Sequence, residues 1–196
     1  AGPVGTMLVS QAIGAGLLVE PFHSSAVLAT RLVSLLARGA QREHLLGALA
    51  SGESITTLAH DEEGDWFAPR STIATRVGDG WRLQGRKTCV YHASMAHRLL
   101  VSARIGDGVG VFVVEREAAG VVSREYRTVD GMRAADIELD VMLAADSRLG
   151  DADASDALDE ALDRGIAALC ADALGVLDRV LAATVQYTRD RVQFGT

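Results

Sequence analysis

STIATRVGDGWRLQGRK, residues 71–87, decides what kind of fold this chain has. Its Asp79-Gly80 pair sits between two alternating runs, which is the strongest short-range hairpin signal a sequence offers. LLVSARIGDGVGVFVVE, residues 99–115, repeats the device with Asp107-Gly108 as the turn. GVVSREYRTV (120–129) and ADIELDVML (135–143) alternate again, and no long helical period interrupts residues 56–149. Short strands separated by glycine-rich turns predict a β-barrel or sandwich of about 95 residues. Gly106, Gly108 and Gly110 resemble a nucleotide-binding glycine loop only superficially, because no helix follows them and a hairpin turn accounts for them.

Outward from this β-region the period changes on both sides. Residues 7–49 are helical in pattern, broken once by VEPFHSS (19–25), where Pro21 disfavours a helical Glu20 and Ser24 or Ser25 can cap the next helix. In that helix Val27, Leu28, Leu32, Leu35 and Leu36 recur at three- and four-residue spacing, and Gly39 is placed to end it. QREHLLGALASGE (41–53) reads as a further short helix closing at Gly52. Beyond the linker-like ADSRLGDADASD (145–156), one long helix begins with acidic residues in its first turn, where the helix dipole favours them. Leu158, Leu162, Ile166, Leu169, Ala173, Leu177, Leu181 and Val185 form its stripe. Ala167, Ala168, Ala171, Leu174, Val176 and Val180 make much of the remaining circumference apolar, so the helix is expected to lie between neighbours. The fold class is therefore α+β and multidomain: a helical remnant (1–52), a β-barrel or sandwich (53–150) and a long helix (151–196).

Composition narrows the function classes. The 196 residues are 48% hydrophobic and 23% charged, as in ordinary globular proteins. Asp and Glu number 26 against 19 Lys and Arg, giving a net charge of −7, which argues against nucleic acid or an anionic membrane as partner. The first residues lack a basic region, and Gln11 and Glu20 interrupt their apolar run, so neither a signal peptide nor a membrane insertion is expected. Cys89 and Cys170 lie far apart without metal-type spacing and read as two buried thiols in a reducing, cytoplasmic setting.

Tyr187, Arg191, Gln193, Phe194 and Gly195 resemble the helix-end motif Y-x-x-x-R-x-Q-F-G of the acyl-CoA dehydrogenase family. LLVEPF with AQREHLLGALASGE, then Gln84-Gly85-Arg86-Lys87, then DGMRAADIELD with a later RLG resemble further family segments in the right order, so the resemblance covers nearly the whole chain. It implies a helical domain, a middle β-domain and the first helix of a C-terminal four-helix domain, so that the chain reads as a piece of a longer polypeptide. It also implies FAD as cofactor, an acyl-CoA thioester as substrate, and a homotetramer or a mixed assembly with a partner subunit. By the same resemblance Arg191 contacts the FAD pyrophosphate of a neighbouring subunit, a role that suits a guanidinium fork. Gln193 and Phe194 belong to that contact, Phe194 by packing beside the flavin nucleotide.

The flavin segments depart from the family pattern. T-E-P-x-x-G-S-D is represented by residues 58–65, so that Leu58, Ala59, Gly64 and Asp65 are the expected flavin contacts, with only Gly64 kept and Asp65 at the serine position. W-I-T or W-I-S is matched by Cys89-Val90-Tyr91, in which Val90 and Tyr91 keep a contact role and the tryptophan wall is lost. The run His60-Asp61-Glu62-Glu63 reads as a solvated loop, since consecutive carboxylates point in different directions, and His92 and His97 have no metal-type spacing. The reaction, α,β-dehydrogenation, needs a base. No carboxylate occupies the family position near Arg164-Gly165, Asp163 and Asp172 are neighbours in sequence only, and the base is expected beyond Thr196. Two alternatives stand beside the dehydrogenase: a catalytically degenerate partner subunit of a heteromeric acyl-CoA dehydrogenase, and a non-enzymatic β-domain that serves as an interaction module.

Overall fold

The computed structural model describes residues 2–64 and 70–193. Helix α1 (Pro3–Gly16) starts on a proline, which costs little where the first amides have no intrahelical partner, and ends at Leu17 in the left-handed region, φ 50°. After Pro21 the chain re-enters as a π-helix, Phe22–Ala29, that runs without a break into α2 (Thr30–Leu36). Neither expected serine caps it. Ser24 turns its hydroxyl inward to His92 Nδ1 (3.0 Å), and Ser25 Oγ accepts from the Thr56 amide (3.3 Å). Helix α2 stops at Leu36 rather than at Gly39, because Ala37 is already extended, and Gly39 instead opens α3 (Gly39–Ser51). Gly52 closes α3 at φ 75°, as expected of a C-terminal glycine.

Seven strands form one sheet that curls over its core: β1 (Thr56–Ala59), β2 (Ile73–Val77), β3 (Gly80–Tyr91), β4 (Arg98–Ile105), β5 (Gly108–Glu115), β6 (Val121–Arg127) and β7 (Arg133–Leu143). The spatial order is β1-β4-β2-β3-β7-β6, with β5 on the other edge of β4. Both predicted hairpins are present, shifted by one residue. Val77 pairs with Gly80 and Ile105 with Gly108, so the loops are Gly78-Asp79 and Gly106-Asp107. Each begins with a glycine at φ 57°, the residue order of a II′ turn, whose twist suits the flanking strands better than a left-handed aspartate would.

One face of the curled sheet encloses Leu83, Val90, Leu99, Val101, Phe112 and Ile137, while the opposite side chains of β1, β4 and β5 meet the helices through Leu58, Leu100 and Val111. The last helix, α4 (Ser155–Asp190), contributes Leu158 and Ala161 to this second core. Its burial differs from the leucine stripe expected: beyond Leu158 the buried positions are Ala161, Gly165, Ala168, Ala171 and Gly175, whereas Leu169 and Leu177 are exposed. The reason is the close approach of α1, where an added Cβ at Gly14 would collide with the Asp172 carbonyl and one at Gly175 with the Gln11 carbonyl. Only small side chains fit such a seam. No described helix is long and apolar enough to cross a membrane.

Candidate functional site at the end of strand β3

Strand β3 carries two polar clusters, one on each side of a β-bulge. Trp81, Leu83 and Lys87 occupy inward positions of the two-residue period, which puts the Lys87 ammonium inside the sheet with no exposure. There Nζ donates to Glu62 Oε1 (2.6 Å), to the His60 carbonyl (3.1 Å) and to Ser102 Oγ (3.2 Å). The Glu62 carboxylate also accepts from the Ser71 amide (2.5 Å), the Ser71 hydroxyl (2.7 Å) and the Thr72 amide (3.1 Å), closing the loop 62–72 at its base. Burial alone would raise the Glu62 carboxyl, but the hydrogen bond and charge of Lys87, with Ser71 and Thr72, hold it at about 2. Burial lowers Lys87 to about 8 against the opposing pull of Glu62.

The expectation of a solvated 60–63 loop is thus corrected. His60 is buried, pairs with Arg70, and is pushed down to about 3 by burial and by the Arg70 and Lys87 charges; Glu62 is the counterion of a buried lysine. The argument from consecutive carboxylates holds for Glu63, which stays exposed, and fails for Glu62, which Lys87 draws inward.

Past Lys87 the ladder slips. Lys87 faces Ile137 and Val90 faces Ala135, so that Thr88 and Cys89 together oppose Asp136. Asp136 holds the bulge by accepting from the Cys89 amide (3.2 Å), the Tyr126 hydroxyl (2.9 Å) and Arg86 (2.9 Å). Bulges re-aim side chains. Here Val90 drops into the core, Tyr91 turns outward at 40% exposure, and His92 follows in the left-handed region at φ 60°. Cys89 is itself left-handed, φ 51°, and half-buried, while Cys170 is exposed on α4; the expectation of two buried thiols fails, because Cys89 belongs to the bulge and Cys170 to the outer face of the helix.

The structure brings the two expected flavin segments side by side: Thr57 Oγ1 donates to the Tyr91 carbonyl (2.7 Å), and the Thr88 amide to the Asp61 carbonyl (2.9 Å). The side chains of Leu58 and Ala59 are buried in the two cores, so β1 presents backbone rather than side chain at this place. Gly64 stands at φ 116° with nothing within 4 Å of an added Cβ. Asp65 and Phe194 lie outside the described residues. Arg191 caps the far end of α4, where its guanidinium stacks 5.2 Å over the Tyr187 ring and bonds the Tyr187 hydroxyl. Sixteen residues separate it from Gly175, the last buried position of α4, which at helical rise is about 24 Å. Arg191 and the neighbouring Gln193 therefore stand apart from the β1 and β3 ends of their own chain.

Tyr91 and His92 open onto a cavity of about 290 Å³ between the bulge, α1, the π-helix and α4. Two histidines face it in different states. His92 is buried; its Nε2 bonds the Val19 carbonyl (3.1 Å), which can only accept, so Nδ1 is the acceptor for the Ser24 hydroxyl (3.0 Å). His23, from the first turn of the π-helix, donates from Nε2 to the Gly165 carbonyl (3.1 Å), and its Nδ1 makes no hydrogen bond among the described residues. Burial lowers the pKa of His23 below 6.5, with the Gly165 carbonyl and Asp172 acting in the other direction. Asp172 lines the same cavity, so it is a neighbour in space and not in sequence alone.

The greater part of the curled sheet is matched by a family model. Residues 57–141 match the acyl-CoA dehydrogenase middle domain. The chain belongs to the acyl-CoA dehydrogenase family. An acyl-CoA dehydrogenase of Mycobacterium tuberculosis, FadE27, is 32% identical over 199 residues, spanning 98% of this chain and 50% of that protein. Benzylmalonyl-CoA dehydrogenase of Aromatoleum aromaticum is 29% identical over 180 residues, with 87% and 48% spanned. Among solved structures, the ChsE4-ChsE5 complex of M. tuberculosis superposes with a TM-score of 0.88 at 29% identity, covering 98% of this chain and 52% of that one. The chain thus spans about half the length of the family members it matches.

The ends of β1 and β3 lie side by side, while the sequence reading missed His23 and the Lys87–Glu62 pair. Lys87 was open to discovery, since counting by two from Trp81 and Leu83 puts it inside. His23 was not, because its meaning depends on Gly165, which lies 142 residues away.

Proposed function

We propose that the protein is an FAD-dependent acyl-CoA dehydrogenase acting on the Cα–Cβ bond of a thioester, in the cytoplasm, as a homotetramer or with a partner subunit. The observation that carries this reading is the cavity at the junction of helices and middle domain, into which the bulge turns Tyr91. The residues suit FAD in two respects. The ends of β1 and β3 offer backbone and the exposed Tyr91 ring and hydroxyl as a wall for a planar ring system, and Arg191, projecting from the free end of α4, is a guanidinium suited to the pyrophosphate of a neighbouring copy. Gly64, Asp65, the backbone of Val90, Gln193 and Phe194 complete the proposed contacts. Bound there, FAD would accept the hydride from the β-carbon. The chain's own residues shape the acyl cavity, exclude water from it and fix the thioester beside Tyr91.

A second reading has an observation of its own. Counting back from Gly64, Ala59 and His60 stand where the family has hydroxyl and acidic groups, and both side chains are buried. Together with the likeness to a complex of two different chains, this favours a partner subunit that supports an active neighbour. The visible spectrum of the protein at its native length, before and after a panel of acyl-CoA thioesters, separates the two: a flavin band that bleaches with one thioester is expected of the dehydrogenase, and a protein that carries no flavin belongs to the second reading.

A further inference from the structure

We infer that the acyl group taken by this cavity carries a hydroxyl and no negative charge, the hydroxyl donating to His23 Nδ1; the inference rests on the dehydrogenase reading above and narrows its substrate class. Three features carry it. The first is an open acceptor. Because the Gly165 carbonyl takes the Nε2 proton (3.1 Å), the lone pair of the neutral ring is on Nδ1, which has no hydrogen-bond partner among the described residues. The ring is also held in place, since a Cβ at Gly165 would lie 3.1 Å from its Nε2 and 2.7 Å from Leu28 Cδ2, so that imidazole and leucine fill the room a side chain on α4 would need. A partly buried acceptor of this kind favours a ligand that brings it a proton over an alkyl chain of the same shape. His92 offers no such place, because the Ser24 hydroxyl and the Val19 carbonyl engage both of its nitrogens.

The second feature is the sign of the charge. Glu20 from the loop before the π-helix, Asp130 from the turn between β6 and β7, and Asp172 from α4 all line the cavity, and among the described residues no lysine or arginine does. An acyl chain that ends in a carboxylate meets like charge there with no cation to offset it. The third feature is the rest of the wall, to which Ile13, Leu18, Phe22, Met132 and Leu169 contribute apolar side chains. A hydroxyl supplies the one proton that Nδ1 lacks without bringing a charge against that apolar surface.

The test is the affinity of three thioesters of similar length, hexanoyl-CoA, 5-hydroxypentanoyl-CoA and glutaryl-CoA, for the protein at its native length, read by isothermal titration calorimetry with flavin bleaching followed in parallel. The hydroxylated thioester is expected to bind about tenfold tighter than hexanoyl-CoA, the worth of one well-placed hydrogen bond, and glutaryl-CoA is expected to bind weakest. Thermal melts establish that each variant folds. His23→Phe, which has no acceptor, should reduce the hydroxyl preference to about twofold or less, whereas His23→Gln, whose amide can donate to the Gly165 carbonyl and still offer an oxygen, should keep most of it. Equal affinity of the parent for hexanoyl-CoA and 5-hydroxypentanoyl-CoA, a preference that survives in folded His23→Phe, or glutaryl-CoA as the tightest ligand overturns the inference, and bleaching by any of the three thioesters then leaves the dehydrogenase reading standing. A parent protein that carries no flavin and binds none of the three overturns both.

Discussion

The two sides of the β3 bulge hold polar groups of similar chemistry in opposite conditions. At Lys87 each ammonium proton has an acceptor, and the partner carboxylate is in turn saturated by Ser71 and Thr72. Five residues further on, beyond the bulge, His92 is satisfied in the same way, but His23 beside it keeps one nitrogen open to a cavity. Buried polar groups carry a desolvation cost that hydrogen bonds must offset. A fully bonded cluster therefore reads as scaffold, and the half-bonded ring is the group that a ligand in the cavity would meet.

That contrast breaks most easily at Glu62. Glu62→Gln leaves the Lys87 charge buried without its counterion and is expected to cost about 3–5 kcal/mol of stability, read from the midpoint of urea unfolding. Lys87→Met is expected to cost less, since Glu62 keeps its bonds to Ser71 and Thr72. A loss under 1 kcal/mol for Glu62→Gln would mean that the pair does not hold the loop. Next in size is His92→Phe. It strands the Val19 carbonyl, while the Ser24 hydroxyl retains the Pro21 carbonyl (3.3 Å), and chemical denaturation should show a loss of about 1–3 kcal/mol. Acid then sharpens the comparison. The Glu62 carboxyl lies at about 2 in the folded chain against 4.5 unperturbed, so its contribution is fully present above about 4.5 and is lost as pH falls toward 2. Acid unfolding followed by circular dichroism should be shallower over that window in Glu62→Gln than in the parent, and identical slopes would contradict the pairing. The smallest stability effect belongs to Tyr91→Phe, about 0.5 kcal/mol or less because the side chain is 40% exposed, accompanied by a fall in bound flavin per chain that absorbance would detect.

Much of this architecture was legible because it is local. Glycine and aspartate announce each hairpin, and the unbroken apolar helix announces α4 whatever its neighbours are. Which face of α4 turns inward was not legible. The leucines carry the larger moment, but α1 approaches so closely at Gly14 and Gly175 that the alanine and glycine face wins. The bulge was hidden for a different reason: Cys89 adopts a left-handed backbone where a sequence reader expects glycine, and only Asp136 across the ladder makes that affordable. The cavity was hidden because its histidines take their meaning from Val19, Ser24 and Gly165, each distant in sequence from the ring it orients.

The most direct measurement of this contrast is the urea unfolding midpoint of Glu62→Gln and His23→Gln, run side by side with the parent. The account predicts that Glu62→Gln loses about 3–5 kcal/mol, and that His23→Gln, whose amide can still donate to the Gly165 carbonyl, loses about 1 kcal/mol or less. A His23 variant that loses more stability than the Glu62 variant would contradict the account.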